Sequence, residues 1–400
     1  MQTSGAFDVV VVGGGPAGAS AAKAAADCGV RVALIEEHTK VGQPIQCTGL
    51  LSLHGIEQTQ TRQDVRLRPI RGVYVYAPNG VRVALGNHKL QAYVIDRDRL
   101  DQQLIDEAKS SGVHVFTGLK ATAWHQETLS GVDPATRREF RFRTKLLIGA
   151  DGAHSRVAQW TKLPRPLKRV YGTQVLVPHR PAREDFVEVF LGRKIAPNFF
   201  AWAVPAGQNT ARIGLASDVM QDAKTNLGRL LETRYSTDIL SIQGGTIPFG
   251  LPSKTVADGV MLVGDAAGQA KPTSGGGIYT GSLCGQIAGE VAAKAVKQGD
   301  VSTKILNEYE LRWRAKLERE LQFGWHAHRM LCHLSDDHIN RIFEWLAQPQ
   351  VQGILETHGD IDYPSACMKE IVKRPKLWGG LLKLVPAGSW VDAAKALVSQ

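Results

Sequence analysis

A strand, a glycine turn and a helix near the start of the chain constrain its fold more than any other feature. The apolar run at residues 7–12 leads into Gly13, Gly15 and Gly18, which form a G-x-G-x-x-G motif. An alanine-rich stretch follows, and the next apolar run ends at Glu36. Such a motif, placed between a strand and a helix and followed roughly 20 residues later by an acid, predicts a nucleotide-binding βαβ unit.

Each residue of the motif has its own physical task. Gly13 permits a tight turn, Gly15 lets the backbone approach a pyrophosphate, and Gly18 lets the helix pack closely on the strand. The helix start offers free N–H groups to phosphates, and Ala17 in the same turn is expected to contact the cofactor. Glu36 is expected to accept hydrogen bonds from an adenosine ribose. The motif by itself does not separate NAD from FAD.

Two later segments favour FAD. Residues 146–158 run as an apolar strand into Asp151 and then a polar helix start. Residues 259–285 begin with another strand, which ends at Gly264 and Asp265. A glycine turn follows. An acid just beyond a strand can bind a ribityl hydroxyl, and a glycine turn that opens a helix can present N–H groups to the flavin ring. The predicted ring contacts are Gly275, Gly276, Gly277 and Ile278.

The three segments, in this order and spacing, resemble the flavoprotein family of para-hydroxybenzoate hydroxylase. The resemblance implies an α/β fold: a Rossmann-like FAD-binding domain of that type, a mainly antiparallel β-sheet substrate domain and a C-terminal helical region. It also implies that FAD lies extended, with Asp265 near the ribityl chain. An arginine at the start of the helix near residue 97 contacts the cofactor in this family. Arg97 matches the family's D-R-x-x-[FL]-D pattern best, and Arg99 is the alternative.

The segments between the flavin motifs predict the substrate sheet. Residues 71–86 are typical of a hairpin whose Asn79-Gly80 turn is of type I′, and alternating strands are expected over residues 168–243. The expected domains are as follows: residues 1–65, 91–165 and 250–300 for FAD, residues 66–90 and 166–249 for substrate, and residues 301–400 for the helical region.

One strand of the predicted sheet, residues 197–205, carries Phe200, Trp202 and Val204 on one face. Alternating aromatic residues usually mark a packed core. The stretch also resembles the P-x-x-Y-x-W-x-F-P motif of the geranylgeranyl reductases, with Phe200 in place of Tyr and Val204 in place of Phe. This narrower resemblance extends over nearly the whole chain and includes the archaeal lipid-reducing branch. It implies that the three side chains bind substrate, in a cavity that is drier and slightly wider than in the family.

Cys47 is isolated in the loop VGQPIQCTGLLS. The five cysteines show no C-x-x-C pair and no Cys/His cluster, so we expect neither a disulfide framework nor a structural metal. Members of the reductase family place a cysteine in this loop, near the flavin and the reacting double bond. The resemblance therefore implies a catalytic, flavin-contacting Cys47. Whether it donates a proton, holds a water that does, or tunes the flavin stays open; Cys28, Cys284, Cys332 and Cys367 are expected to be packing residues.

The resemblance implies an FAD-dependent reductase that saturates carbon–carbon double bonds of geranylgeranyl chains. The substrate would be a prenyl lipid or a prenyl diphosphate. We find no second dinucleotide motif, so the electrons are expected from an external donor, either NAD(P)H or a ferredoxin-like protein. Two rivals share the sequence features: a flavin-dependent monooxygenase or halogenase, and a non-catalytic FAD-binding protein.

Charge and hydropathy limit which partners the protein can bind and where in the cell it is expected. Net charge is +10, yet no nucleic-acid-binding signature is present, so we expect no nucleic acid. No apolar run approaches the roughly 20 residues of a membrane span, and no secretion signal is found, so a cytoplasmic protein is expected. The tail, residues 363–400, combines six Lys/Arg and two acids with Trp378 and Trp390. It suits peripheral membrane contact, with an ordinary helix packed on the body as the alternative.

Overall fold

The computed structural model describes residues 3–86, 88–235, 237–384, 386 and 395. Residues 385, 387–394 and 396–400 of the basic tail, Trp390 among them, lie outside the described residues. Among the described helices, none combines the length and the apolar character needed to cross a bilayer.

The strands of the described chain run from two to eleven residues. In chain order they are β1 Thr3–Ala6, β2 Val9–Val12, β3 Val32–Glu36, β4 Leu50–Ser52, β5 Arg66–Ile70, β6 Gly72–Tyr76, β7 Arg82–Leu85, β8 Ala92–Ile95, β9 His114–Thr117, β10 Lys120–His125, β11 Thr128–Val132, β12 Glu139–Arg143, β13 Leu146–Gly149, β14 Lys168–Pro178, β15 Phe186–Phe190, β16 Ala201–Gly207, β17 Thr210–Ser217, β18 Ser241–Phe249, β19 Val256–Ala257 and β20 Val260–Leu262.

In the described part of the chain, the two longest helices are followed by four shorter ones. In chain order they are α1 Pro16–Asp27, α2 Leu53–Gln58, α3 Arg97–Ser110, α4 Arg156–Trp160, α5 Met220–Arg234, α6 Ile278–Gln298, α7 Thr303–His333, α8 Asp336–Leu346, α9 Pro349–His358, α10 Ser365–Val372 and α11 Pro375–Leu384. The expected C-terminal helical region is confirmed by α7 to α11.

A six-stranded sheet in the order β19-β20-β13-β2-β3-β9 forms the centre of the part of the chain that carries the predicted FAD motifs, here called the cofactor half. Its strands from β20 to β9 are parallel, and β2 is buried along its whole length, as expected for a strand covered on both faces. Because the carboxyl ends of parallel strands meet at one edge, the loops after β2, β13 and β20 converge there. All three predicted flavin segments therefore reach one edge of the sheet.

The second large sheet has seven strands in the order β18-β14-β17-β16-β15-β6-β7. Each neighbouring pair is antiparallel except β15 with β6, which confirms the mainly antiparallel sheet. Two smaller sheets, β1-β12-β11-β10 and β4-β8-β5, complete the α/β fold. The β4-β8-β5 sheet joins strands from both sides of the expected boundary at residue 65, and the domain boundaries stay a prediction.

The hairpin between β6 and β7 corrects one expectation. The Gly80 N–H donates to the Ala77 carbonyl, so Pro78 and Asn79 are the two central residues of the turn. Gly80 has a φ of +86°, but the positive-φ residues do not include Asn79. A type I′ turn needs positive φ at both central positions, and Pro78 cannot supply it because its ring holds φ near −65°. The type I′ prediction is wrong, and Gly80 instead takes the left-handed position that follows the turn.

Helices α1 and α6 pack unusually closely in the core. A Cβ atom built on Gly285 would lie 2.2 Å from the Ala17 carbonyl oxygen, and one on Gly289 would lie 2.3 Å from that of Ala21. Real Cβ atoms do not approach backbone this closely. The two glycines therefore let α6 lie against α1, and they hold the start of α6 beside the start of α1.

We predict that Gly289→Ala lowers the free energy of unfolding by about 1–3 kcal/mol, the usual cost of an added core methyl group. Gly353→Ala is the control, because no atom lies within 4 Å of its added Cβ and the site is an exposed helix. The control should be neutral or stabilising by up to about 1 kcal/mol. Denaturant unfolding measures both, and equal stabilities would contradict the packing of α6 on α1.

Candidate active site

A cavity of about 950 Å³ lies between the carboxyl edge of the six-stranded sheet and the seven-stranded sheet. It brings together all but one of the predicted cofactor residues. Those lining it are Gly13, Gly15, Ala17, Glu36, Cys47, Arg97, Asp151, Gly264, Asp265, Gly275, Gly276, Gly277 and Ile278. Gly18 is not in the lining.

The three motif glycines occupy different environments. Gly13 has a φ of +107°, and its added Cβ would lie 2.2 Å from the Ala150 carbonyl oxygen. An added Cβ on Gly18 would lie 1.9 Å from the Gly13 carbonyl oxygen. On Gly15 it would meet no atom within 4 Å. Gly13 and Gly18 are thus required by packing, whereas Gly15 faces open cavity, as a pyrophosphate contact requires.

Two helices begin at the cavity without a side-chain cap. The N-cap of α1 is Gly15 and that of α6 is Gly277, and neither residue has a side chain that could accept from the first N–H groups. Those groups lack partners within their helices and carry the positive end of the helix dipole. The two helix starts fit the anionic phosphates and the polar ring edge of FAD.

Glu36 is held rigidly at the end of β3. One carboxylate oxygen accepts from the Gly14 N–H at 2.7 Å, and the other accepts from the His38 N–H at 2.9 Å. The side chain ties the glycine turn to the next strand while it lines the cavity. This placement suits the predicted ribose contact, which stays a prediction.

The two predicted ribityl acids differ in how they are engaged. Both Asp151 oxygens are already used, one by the Ser155 hydroxyl at 2.6 Å and the other by the Arg156 N–H at 2.7 Å. Asp151 therefore stabilises the start of α4. Asp265 lies half-buried in the cavity lining beside the first turn of α6, and desolvation there raises its pKa to about 6 against the opposing charge of Arg97. Asp265 has the freer carboxylate for a hydroxyl group.

The geometry favours Arg97 over Arg99 as the arginine that contacts the cofactor. Arg97 lines the cavity and donates to both oxygens of Asp101, at 3.0 and 2.8 Å. Its Nε is buried without a hydrogen-bond partner. Burial acts to lower the pKa of Arg97, but the charge and the hydrogen bonds of Asp101 outweigh it and raise that pKa, with a smaller effect from the neighbouring Cys47. Arg99 has a side chain 61% exposed and pairs with Asp96.

Cys47 lies in a loop that is fixed to the seven-stranded sheet. The Gly49 N–H donates to its sulfur at 3.3 Å. Arg212 of β17 donates to the Thr48 carbonyl at 2.8 Å. The sulfur therefore has two cationic neighbours, Arg97 and Arg212, with which it interacts electrostatically.

Gln174 of β14 links this loop to the predicted substrate wall. Its side-chain oxygen accepts from the Thr48 hydroxyl at 2.9 Å and from the Trp202 indole N–H at 3.3 Å. Its amide nitrogen donates to Gln243 at 2.8 Å. We did not predict Gln174, although a glutamine inside the apolar run YGTQVLVP was the available signal. Arg212, another polar residue in an apolar strand, was missed in the same way.

The predicted substrate residues form one apolar wall. Phe200, Trp202 and Val204 all line the cavity, although Phe200 precedes the first residue of β16. An added Cβ on Gly214 would lie 2.7 Å from the Trp202 ring, so the indole lies directly on the backbone of β17. Their role in binding substrate stays a prediction.

The C-terminal helices reach the cavity through a buried ion pair that we did not predict. Lys271, within the flavin segment, pairs with Asp362, whose side chain is 1% exposed. Lys271 and Ile361 line the cavity. His54, Asp360 and Asp362 place three possible metal-ligating atoms within 4.8 Å of one another, and Asp362 is already engaged by Lys271. A lysine among the small residues of the flavin segment was the signal in the sequence.

Comparison with known proteins identifies the family. Residues 6–319 match the family model described as FAD binding domain. The digeranylgeranylglycerophospholipid reductase 2 of Methanococcoides burtonii is 32% identical over 357 residues, 84% of this chain and 87% of that protein. The digeranylgeranylglycerophospholipid reductase of Methanocaldococcus jannaschii is 31% identical and covers 93% of this chain and 96% of its own. The chain belongs to the geranylgeranyl reductase family.

Solved structures agree with this family assignment. A geranylgeranyl bacteriochlorophyll reductase-like protein of Thermoplasma acidophilum is 25% identical, with a TM-score of 0.83 over 96% of this chain and 100% of its own. A flavin-dependent brominase shares the fold, with a TM-score of 0.70 at 15% identity. The predicted fold class, the FAD cofactor and the FAD-dependent oxidoreductase class are confirmed.

We predict that Gly15→Val removes FAD and leaves the chain folded, because the new side chain enters open cavity where the phosphate is predicted to bind. Flavin absorbance of the purified protein and titration with added FAD measure the loss. Gly18→Val is the matched control, because it should destabilise the fold itself through its contact with Gly13. Full flavin content in Gly15→Val would contradict the assigned phosphate position.

We predict a pH-dependent effect of Asp265→Asn on the FAD-free protein. The folded pKa is raised to about 6, above an unfolded value of about 3.9. Asp265 therefore contributes stability below the unfolded pKa and loses it as the pH rises through the folded pKa. The substitution should add about 1–3 kcal/mol of unfolding free energy near pH 8 and little near pH 4. A gain that does not change between these pH values would contradict the buried carboxylate.

Proposed function

We propose that this protein saturates carbon–carbon double bonds of geranylgeranyl chains carried on a glycerophospholipid, with electrons from an external donor. One observation carries the proposal. A single cavity joins the FAD-fitting helix starts to an apolar wall of Phe200, Trp202 and Val204, and Cys47 lines the same cavity. The relatives named as digeranylgeranylglycerophospholipid reductases support the lipid substrate.

Reduction of an isolated alkene needs a hydride at one carbon and a proton at the other. FAD, when bound and reduced, supplies the hydride. The chain's own residues have three tasks: they orient the alkene, they exclude water and they provide the proton. The apolar wall performs the first two, since a chain of carbon atoms is held there by packing and few polar groups compete.

Cys47 is the proposed proton source, directly or through a water that it holds. Proton transfer leaves negative charge on the sulfur, and Arg97 and Arg212 lie beside it as cationic partners. The Gly49 N–H also donates to the sulfur. These three groups surround the sulfur and keep it in one position. Arg97 therefore supports the proton transfer and the cofactor site at the same time.

An oxygen-activating enzyme of the same fold is the alternative function. The shared fold of the brominase does not distinguish the two classes, because that likeness lies in the fold. The products do: a reductase adds two hydrogens for each double bond, whereas a monooxygenase adds oxygen and a halogenase adds halogen.

The test of the proposal is an anaerobic single turnover. The protein is reduced with dithionite, mixed with a digeranylgeranylglycerol phospholipid, and followed by the return of the oxidised flavin absorbance. The lipid is then analysed by mass spectrometry. We expect reoxidation coupled to a gain of two hydrogens per double bond. Absence of reoxidation by any prenyl lipid or prenyl diphosphate would overturn the proposal and favour a non-catalytic FAD-binding protein.

We predict that Cys47→Ala slows this reoxidation by about 10²–10⁴, the usual contribution of general acid catalysis, and retains FAD. Cys47→Ser should be intermediate, because a hydroxyl group can still hold a water. Cys284→Ala is the matched control, since Cys284 is fully buried in α6 and burial raises its pKa. Wild-type rates in Cys47→Ala would assign this cysteine to packing.

A further inference from the structure

We propose that the mouth of the cavity, between the Cys47 loop and the edge strand β18, docks on an anionic lipid bilayer. This inference rests on the proposed lipid substrate and adds the surface through which that substrate enters. The occupant is the bilayer itself, and the apolar residues around the mouth insert into it.

A second, smaller cavity marks the mouth. It lies between residues 43–46 and residues 241–244, and six of its lining residues also line the main cavity. These shared residues are Gln43, Pro44, Ile45, Gln46, Gln243 and Gly244. The two spaces therefore adjoin, and these shared residues lie between them. In this proposal, a prenyl chain that enters here displaces the side chains that close the contact between the Cys47 loop and β18.

Both sides of the mouth carry exposed apolar side chains. On the β18 side, Ile239, Leu240 and Ile242 are 46%, 57% and 70% exposed. On the loop side, Pro44 is exposed and Ile45 is half-buried. Soluble proteins leave single apolar residues exposed, but three within four positions beside a cavity opening form a patch that marks an interaction site.

The patch is held firmly by the sheet. β18 is the outermost strand of the seven-stranded sheet, and the Leu240 N–H continues its pairing by donating to the Leu176 carbonyl at 2.8 Å. On the other side, an added Cβ on Gly245 would lie 3.3 Å from the Gln46 side chain, so the loop packs against β18. The apolar residues are thus displayed on rigid backbone, which lowers the entropic cost of insertion.

Charge and chemistry favour a bilayer over a protein partner. The chain carries a net charge of +10, which attracts it to anionic lipid headgroups. A double bond in a lipid tail can reach the apolar wall only if the tail leaves the bilayer. A docked mouth lets the tail pass from one apolar medium to another, without crossing water.

The experiment compares vesicle binding by the FAD-loaded full chain and by a double variant, Leu240→Ser with Ile242→Ser. Vesicles contain phosphatidylglycerol or phosphatidylcholine, and binding is measured by co-flotation. Leu311→Ser is the matched control, because Leu311 is 64% exposed on α7 and is not among the lining residues of either cavity. Flavin content and melting temperature establish that each variant is folded.

We expect the wild type and Leu311→Ser to bind phosphatidylglycerol vesicles, and the double variant to bind at least tenfold more weakly. Turnover of lipid embedded in vesicles should fall at least tenfold more than turnover of the same lipid in detergent micelles. Wild-type vesicle binding by the double variant would overturn the inference and assign membrane contact to another surface, such as the basic tail. A wild type that binds no anionic vesicles would overturn it as well.

Failure of the proposed function would look different. Vesicle binding does not require turnover. If the protein docks through the mouth but reduces no prenyl lipid, the docking surface stands and the reductase function is rejected. If all variants reduce lipid equally well in micelles and in vesicles, the reductase function stands and the docking surface is rejected.

Discussion

The close packing of α1 on the end of β2 is the constraint on which the rest of the site depends. An added Cβ on Gly18 would lie 1.9 Å from the Gly13 carbonyl oxygen, so the helix cannot approach in this way with any other residue there. The contact aims the first turn of α1 along the carboxyl edge of the sheet. Gly285 and Gly289 then bring α6 against α1, and the start of α6 reaches the same cavity. Two positive helix ends thus converge where a dinucleotide cofactor needs them.

A buried polar network couples the cofactor half to the sheet above it. Gln174 receives hydrogen bonds from Thr48 and Trp202, and Arg212 holds the Thr48 carbonyl. Inside a protein such bonds are strong, and a network that lost one member would leave buried groups unsatisfied. The network therefore fixes the Cys47 loop and the aromatic wall in one relative position. The distance between a proton source and a bound alkene depends on this arrangement.

Charge is concentrated where the chemistry is proposed. Arg97 interacts electrostatically with Asp101, with the Cys47 sulfur and with Asp265. Burying charges is costly unless they are paired, and the Arg97–Asp101 hydrogen bonds satisfy much of that requirement. The Arg97 Nε is buried without a hydrogen-bond partner. On the opposite side of the cavity, the Lys271–Asp362 pair holds the C-terminal helices against the glycine turn.

The sequence by itself determined the elements whose signals are local. The roles of Gly13, Gly15 and Gly18 follow from spacing, because a strand, a turn and a helix within about 30 residues leave few ways to place three glycines. The resemblance to the reductases pointed to Cys47 and Trp202, and both line the cavity. The predicted type I′ turn at Asn79 was wrong because the Asn-Gly signal was interpreted without the effect of the preceding Pro78.

Tertiary structure alone decided the partners of Gln174, Arg212 and Lys271. Gln174 meets Thr48 across 126 positions, Arg212 meets the same residue across 164, and Lys271 meets Asp362 across 91. Such contacts depend on how sheets and helices stack, and no local pattern encodes that stacking.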